Sequence, residues 1–320
     1  MPPSRLADAD AAAVPLTPDL LRTWPLPLDA GDDKHDRGTV LVIAGSTRTS
    51  GAALLAGLAA LRAGAGRLQI GTVDGSAPSL AAAVPEALIH GVPSTRGGAL
   101  DPVAAVEGLS ELIEGADAVL IGPGLEDLAA TRDLVVGVLP LVVAKTVVVV
   151  DALALSALDG APATPLRGRM ALTPNLREAA ALVSEGSNGL DPRELAARIA
   201  RDHDCAVTVS GEVAAPDGRS WSARAAIPGL GTSGSGDVLA GLVAGAAARC
   251  GDAAQALCWG TYLHVAAGAK LRDRIGPVGY FARELLEPVP RLMDEAMPPA
   301  EARSTEGMRT PTPSSRAPRA

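Results

Sequence analysis

Short, continuously apolar segments rich in β-branched residues alternate along this chain with longer segments rich in alanine and leucine. Thr39–Ala44, Ala118–Ile121 and Thr146–Val150 are of the first kind, and Gly51–Ala63 is of the second. Strands that are apolar at every position are buried on both faces, and strands that alternate with helices form a parallel sheet covered on both sides. The pattern therefore predicts an α/β fold with a mostly parallel central sheet between two layers of helices.

Polar or small residues follow almost every predicted strand. Further strands are predicted at Arg67–Thr72, Met170–Leu172 and Ala206–Ser210, and the residues at the strand ends are Gly, Ser, Asp, Thr or Asn. In open α/β sheets, ligands bind beyond the carboxyl ends of the strands. We therefore expect the functional site along that edge of the sheet.

The composition excludes several classes of function. Aromatic residues make up only 2% of the 320 residues and the net charge is −8, so the chain lacks the basic surface and the stacking groups of a nucleic-acid binder. It is also a poor match for anionic membranes, and no apolar run reaches membrane-spanning length. The three cysteines form no CxxC pair, and no signal peptide is recognisable at the N-terminus. These features predict a cytoplasmic protein that acts on small molecules.

The two ends of the chain differ from the rest. Residues 1–33 are rich in Pro and Asp and are predicted to form an arm with one short helix at Pro18–Thr23. Residues 34–297 form the predicted domain. Residues 298–320 hold few large apolar side chains and cannot offset the entropy of ordering, so a disordered tail is predicted there.

The glycine-rich segment 231–237, Gly-Thr-Ser-Gly-Ser-Gly-Asp, is the strongest local sign of a ligand site. Its three glycines allow a tight loop, and a helix is predicted to start at Val238. Free amides and the helix dipole at such a junction favour a phosphate or another anion. Asp237 stands there as a candidate general base. The alternative is a simple turn with Asp237 as the helix N-cap.

Other polar or small residues at the strand ends each allow two interpretations. The small residues of Ser46–Gly51 permit either the approach of a flat ligand or close packing of helix on sheet. Asn175 and Glu178 form either a helix capping box or part of a site in which Glu178 lies near a phosphate-bound cation. Asp151 is either a strand-end cap or a ligand contact. His264 lies in an apolar helical segment and is interpreted as a core histidine.

Several motifs together resemble the ADP/ATP-dependent NAD(P)H-hydrate dehydratases, from about Lys34 to Leu286. They are KHDRGTVLVIAGS, SGAALLAGLAALRAGAG, VPEALIHG, VLIGPGLE, VVVDALAL, LTPNLREAAAL and GTSGSGDVLAGLVAGAA, in the order found in that family. The resemblance implies a three-layer ribokinase-like fold. It also implies a hydro-lyase reaction in which a nucleotide phosphate is used to remove water from the S-epimer of hydrated NADH or NADPH (NADHX or NADPHX), restoring the reduced nucleotide.

The resemblance also implies roles for individual residues. Asp237 would be the catalytic aspartate, Glu178 would act indirectly on a metal ion, and the substrate would contact Ala52, Gly124, Asn175 and Asp237. The implied nucleotide-binding residues are Ser210, Gly211, Glu212, Val213, Ala214, Gly234, Ser235 and Gly236. The chain departs from the family's pattern at Ser210, which stands in place of a lysine, and at Asn175, which stands in place of a histidine. Arg177 also replaces a small residue, so that Asn175 and Glu178 resemble the N-x-x-E of sugar kinases.

The implied cofactors and partners follow from the same resemblance. ADP or ATP would be the phosphate donor, with Mg²⁺, and the protein would form a homo-oligomer. No epimerase domain is expected in this chain, so a separate epimerase would act on the same substrate pool. Two alternatives remain open: a small-molecule kinase for a vitamin or sugar alcohol, and a nucleotide-binding paralogue with impaired catalysis.

Overall fold

The computed structural model describes residues 12–27, 37–158, 166–183, 186–187, 189–223 and 225–299. Its centre is a ten-stranded sheet with strand order β1-β10-β9-β8-β7-β6-β5-β2-β3-β4. The strands are β1 Val14–Pro15, β2 Thr39–Ile43, β3 Arg67–Val73, β4 Ala87–Val92, β5 Ala118–Ile121, β6 Val147–Val150, β7 Met170–Leu172, β8 Ala206–Val209, β9 Glu212–Ala214 and β10 Ser220–Ser222. Strand β9 runs antiparallel to both of its neighbours, and the other pairs are parallel. The predicted, mostly parallel sheet is confirmed.

Successive residues of the central strands point to two separate cores. In β2, Val40 and Val42 belong to one core, and Leu41 and Ile43 belong to the other. Helices α2, α8 and α9 cover the first face, and α4, α5 and α7 cover the second, which gives the predicted three layers. The helices are α1 Pro18–Thr23, α2 Ser50–Arg62, α3 Ala77–Ala83, α4 Pro102–Gly115, α5 Leu128–Val138, α6 Leu176–Leu182, α7 Pro192–Asp202, α8 Ser235–Cys250, α9 Ala253–Arg274 and α10 Val289–Ala296.

Helices α2 and α8 pack unusually closely, through small residues. A Cβ atom added to Gly241 would lie 2.2 Å from the carbonyl oxygen of Ala56, and one added to Gly245 would lie 2.3 Å from that of Ala60. Both contacts keep the same register, so the helices run parallel, and their N-termini lie side by side at the carboxyl edge of the sheet. Small residues are therefore needed at these contacts, since larger side chains would separate the two helices.

The N-terminal arm packs against the domain and is hydrogen-bonded to it. Helix α1 occupies the predicted residues, and β1 pairs with β10. Leu21 and Leu26 are buried, and the carbonyl oxygen of Trp24 accepts hydrogen bonds from Gln255 Nε2 at 3.0 Å and from Trp259 Nε1 at 2.9 Å.

Some of the predicted boundaries cannot be compared with the structure. The boundary between residues 33 and 34 lies outside the described residues, as does the tail beyond residue 299. The division at residues 33 and 297 stays a prediction. Within the described part of the chain, no helix combines the length and the apolar character needed to cross a bilayer.

Candidate active site

The glycine-rich segment leads directly into helix α8, which begins at Ser235 and not at the predicted Val238. The difference arises because Gly234, with a φ of 87°, ends the loop and acts as the N-cap, so Ser235, Gly236 and Asp237 form the first helical turn. The alternative that made Asp237 the N-cap is therefore wrong. No side chain caps this N-terminus. The Ser235 amide donates to the Thr232 carbonyl at 3.2 Å, which leaves the amides of Gly236 and Asp237 for an anion.

Asp237 is a half-buried carboxyl group in this first turn. Burial raises the pKa of Asp237 to about 6. Its carboxyl makes no side-chain hydrogen bond or ion pair with the residues that the structure describes. Such a group is ionised at neutral pH, yet accepts a proton more readily than an ordinary aspartate, as a general base requires.

A cavity of about 600 Å³ opens beside the first turn of α8. It is lined by five of the residues predicted to bind substrate or nucleotide, namely Asn175, Ser210, Gly211, Ser235 and Gly236. Its apolar wall includes Ala225, Ile227, Leu230, Leu239 and Val265. A pocket of this volume, with an apolar wall and a few polar groups, is typical of small-molecule sites.

The predicted nucleotide segment 210–214 divides into two parts. Ser210 and Gly211 both have positive φ, 50° and 89°, and form the two-residue turn between β8 and β9. Glu212, Val213 and Ala214 form the buried strand β9 and are not among the described residues that line the cavity. The turn therefore presents its own two residues to the cavity, and the other three lie in the sheet behind them.

Asn175 and Glu178 form the predicted capping box at the start of α6. The Asn175 Oδ1 atom accepts hydrogen bonds from the amides of Arg177, at 2.9 Å, and Glu178, at 3.0 Å, and Glu178 Oε2 accepts one from the amide of Asn175 at 2.9 Å. Asn175 also lines the cavity. The structural and the functional interpretation of this pair are therefore compatible.

Ala52 and Gly124 come together where β2 and β5 end. A Cβ atom on Gly124 would lie 2.8 Å from that of Ala52, and Thr49 Oγ1 donates a hydrogen bond of 2.6 Å to the Gly124 carbonyl. The two loops are also joined by Glu126, which accepts hydrogen bonds from Ser46 Oγ and, at 2.9 Å, from Arg48. Ser46 is the main cause of the lowered pKa of Glu126. This polar link was not predicted from the sequence.

Asp151 lies at the end of β6 and is almost completely buried. Its pKa is raised to about 8, mainly by burial and also by the nearby charges of Asp237 and Glu178, while a hydrogen bond of 2.7 Å from Thr173 Oγ1 acts in the opposite direction. At neutral pH the Asp151 carboxyl is therefore mostly protonated. Among the described residues, no cluster of three or more His, Cys, Asp and Glu side chains could hold a metal ion by itself.

A histidine and an arginine are among the cavity-lining residues that were not assigned to the site from the sequence. His264 is buried, as expected of a core histidine, but it also lines the cavity and is hydrogen-bonded to Ser235. Arg177 is exposed and also lines this cavity. A histidine on an apolar helix and an arginine in a capping box carry no sequence signal of their own, because only the fold brings them to the loop at 231–237.

A comparison with models of known protein families shows which family the chain matches. The model of the NAD(P)H-hydrate dehydratase family matches residues 40–291. The chain belongs to this family. Its fold is shared with a ribokinase-like protein from Enterococcus faecalis, at a TM-score of 0.76 and 22% identity over 93% of this chain and all of that one.

Individual members of the family align over most of the chain. An ADP-dependent (S)-NAD(P)H-hydrate dehydratase of Xanthomonas campestris is 43% identical, over 86% of this chain and 94% of its own length. The ADP/ATP-dependent enzyme of Bacillus subtilis, crystallised with ATP and Mg²⁺, superposes with a TM-score of 0.72 at 27% identity, over 89% of this chain and 99% of that one. A bifunctional repair enzyme of Moorella thermoacetica is 36% identical over 83% of this chain, but the match spans only 51% of that enzyme.

Proposed function

We propose that the protein is an ADP-dependent hydro-lyase that dehydrates the S-epimer of NADHX or NADPHX to NADH or NADPH. The observation that carries the proposal is Asp237, a half-buried carboxyl group without a protein partner among the described residues, in the uncapped first turn of α8. The similarity to the Xanthomonas campestris enzyme supports the same reaction, because that relative is matched over nearly its whole length.

The site residues suggest an order of steps. Hydroxide leaves poorly, so the ring hydroxyl is first phosphorylated. Asp237 takes the hydroxyl proton as that oxygen attacks the terminal phosphorus of ADP, and the bond to the bridging oxygen breaks to release AMP. The bond between ring carbon and oxygen then breaks, inorganic phosphate departs with the electron pair, and loss of a proton from the neighbouring carbon restores the double bond.

The remaining predicted residues would hold the reactants during these steps. The amides of Gly236 and Asp237, in the uncapped first turn of α8, would donate to the transferred phosphate and oppose its developing negative charge. Ala52 and Gly124 would form the surface against the dinucleotide substrate. Holding the hydroxyl and the phosphorus in line supplies much of the rate of a phosphoryl transfer.

Magnesium fits this site as an ion that enters with the nucleotide. Such an ion is held largely by phosphate oxygens and water and needs only one or two protein carboxylates. The capping box occupies Oε2 of Glu178 and leaves Oε1 without a described protein partner, so Glu178 can act through the ion's water. When bound, the ion would neutralise charge on the phosphates.

The deciding experiment incubates the protein with chemically hydrated NADH and with ADP, with ATP, or with no nucleotide. We expect the absorbance band of reduced nicotinamide to return only with nucleotide, together with one equivalent of phosphate. A stable phosphorylated alcohol without recovery of that band would support a kinase. Nucleotide binding without either product would support the impaired paralogue, and the Ser210→Lys variant would then be expected to restore turnover.

We also propose that the protein acts in the cytoplasm as a homo-oligomer and shares its substrate pool with a separate epimerase. The three cysteines are all unpaired, which agrees with a reducing compartment. Light scattering of the purified protein tests the oligomeric state. Adding an epimerase that interconverts the two hydrate forms would extend recovery from the S-epimer to the whole hydrate pool.

A further inference from the structure

We propose that Arg177 binds the phosphate groups of the nucleotide. The inference rests on the proposed function and deepens it, because it names the cation of the nucleotide site. Arg177 is the second residue of α6, is exposed, and is one of the residues that line the 600 Å³ cavity.

The first argument is the charge of the cavity. Among the described residues that line it, Arg177 is the one whose side chain is charged at neutral pH. Ser210 supplies a hydroxyl group on another part of the lining, and His264 is neutral because burial lowers its pKa to about 4. A di- or triphosphate that enters this cavity therefore meets a single protein cation.

The second argument is that the guanidinium group is available. Within the described part of the chain, the Arg177 side chain makes no hydrogen bond or ion pair. Some other exposed arginines are paired, such as Arg48 with Glu126 and Arg219 with Asp217, so their guanidinium groups are already engaged. A guanidinium group offers five N–H donors in a planar arrangement that matches two phosphate oxygens at once.

The third argument is that the backbone of Arg177 is held in place. The capping box fixes its amide on Asn175 Oδ1 at 2.9 Å, so the side chain starts from a rigid point. The uncapped N-terminus of α8 contributes Gly236 to the same cavity. A phosphate held by the α8 amides would thus have the Arg177 cation available from a different element of the fold.

The test measures nucleotide affinity by calorimetry on the full chain. With Arg177→Gln, we expect the Kd for ADP to rise about ten-fold, in line with the loss of one charge-assisted hydrogen-bond pair. The Kd for AMP should rise less and that for adenosine should not change. Arg177→Lys should keep part of the affinity. Arg132→Gln, the same charge change at an exposed residue of α5 outside the cavity, should have no effect.

Salt gives a second readout. Because the guanidinium is exposed, the difference between wild type and Arg177→Gln should shrink at high ionic strength. An unchanged ADP affinity in Arg177→Gln, or an equal loss for adenosine, would overturn the proposal. Neither result bears on turnover. A wild-type protein that binds ADP through Arg177 but leaves hydrated NADH untouched would instead refute the proposed function.

Discussion

The hydroxyl oxygen of Ser235 lies 2.8 Å from Nε2 of His264. This contact ties the first turn of α8 to the middle of α9 at the cavity wall. Phosphate only accepts hydrogen bonds, so Ser235 can donate to it only when the neutral imidazole donates its Nε2 proton to Ser235 Oγ. His264 would then orient the hydroxyl proton toward the nucleotide.

The contact predicts coupled effects in a double-mutant cycle. His264→Leu and Ser235→Ala should each raise the Kd for ADP about three- to ten-fold. The Kd of the double variant should be no higher than that of the single variant with the higher Kd. His264→Gln, whose amide can donate near the former Nε2, should recover part of the loss. Calorimetric Kd values measure this, and fully additive losses would show that the two residues act separately.

Asp237→Asn tests the proposed base. The substitution keeps the shape and removes the proton acceptor, so kcat should fall about 10²- to 10⁴-fold while the far-ultraviolet circular dichroism and the Kd for ADP stay near those of the wild type. The rate of NADH recovery from the hydrate is the measurement. Turnover within a few-fold of wild type would exclude this role.

The pKa of Asp237 predicts how activity depends on pH. The base works only when ionised, and burial raises its pKa to about 6. kcat/KM should therefore be level above about pH 7 and fall about ten-fold per unit well below pH 6. An ordinary aspartate would hold activity down to about pH 4. A profile that stays level through pH 5 would contradict the raised pKa.

Asp151 predicts a dependence of stability on pH. Its pKa is raised to about 8 in the folded protein and is near 4 in the unfolded chain. The folded state thus favours the protonated form, and this contribution is complete below pH 4 and is lost as the pH rises through about 8. Asp151→Asn should then raise the free energy of unfolding by about 1 kcal/mol or more at pH 9, with little change at pH 4. Urea unfolding at the two pH values measures this.

Close packing of α2 on α8 predicts that the stability of the protein is sensitive to substitution at Gly241. In Gly241→Ala the added methyl group would meet the Ala56 carbonyl oxygen at 2.2 Å, so the helices must separate, at a cost of about 1–3 kcal/mol. Urea unfolding measures the loss. Gly115→Ala, where nothing lies within 4 Å, is the matched control and should be neutral or slightly stabilising. Equal stability of the two variants would contradict the packing argument.

The sequence by itself determined the layered fold and the edge that holds the site. Apolar runs such as Val147–Val150 specify buried parallel strands, and the residues after them must gather at one edge because parallel strands end together. The glycines of segment 231–237 predicted an anion-binding loop for the same kind of local reason, because glycines allow a tight backbone turn that side chains would obstruct. The spacing of Asn175 and Glu178 alone likewise predicted the capping box that they form.

Tertiary structure decided which distant residues share the cavity. In the sequence, His264 lies in an apolar helical segment and Arg177 lies in a capping box. No local pattern relates either residue to Ser235. Helix α8 could also begin three residues earlier than predicted, because Gly234 adopts a positive φ beside Leu55 of α2. Burial is likewise a property of the whole fold, which is why the raised pKa values of Asp151 and Asp237 follow from the packed structure and not from their neighbours in the chain.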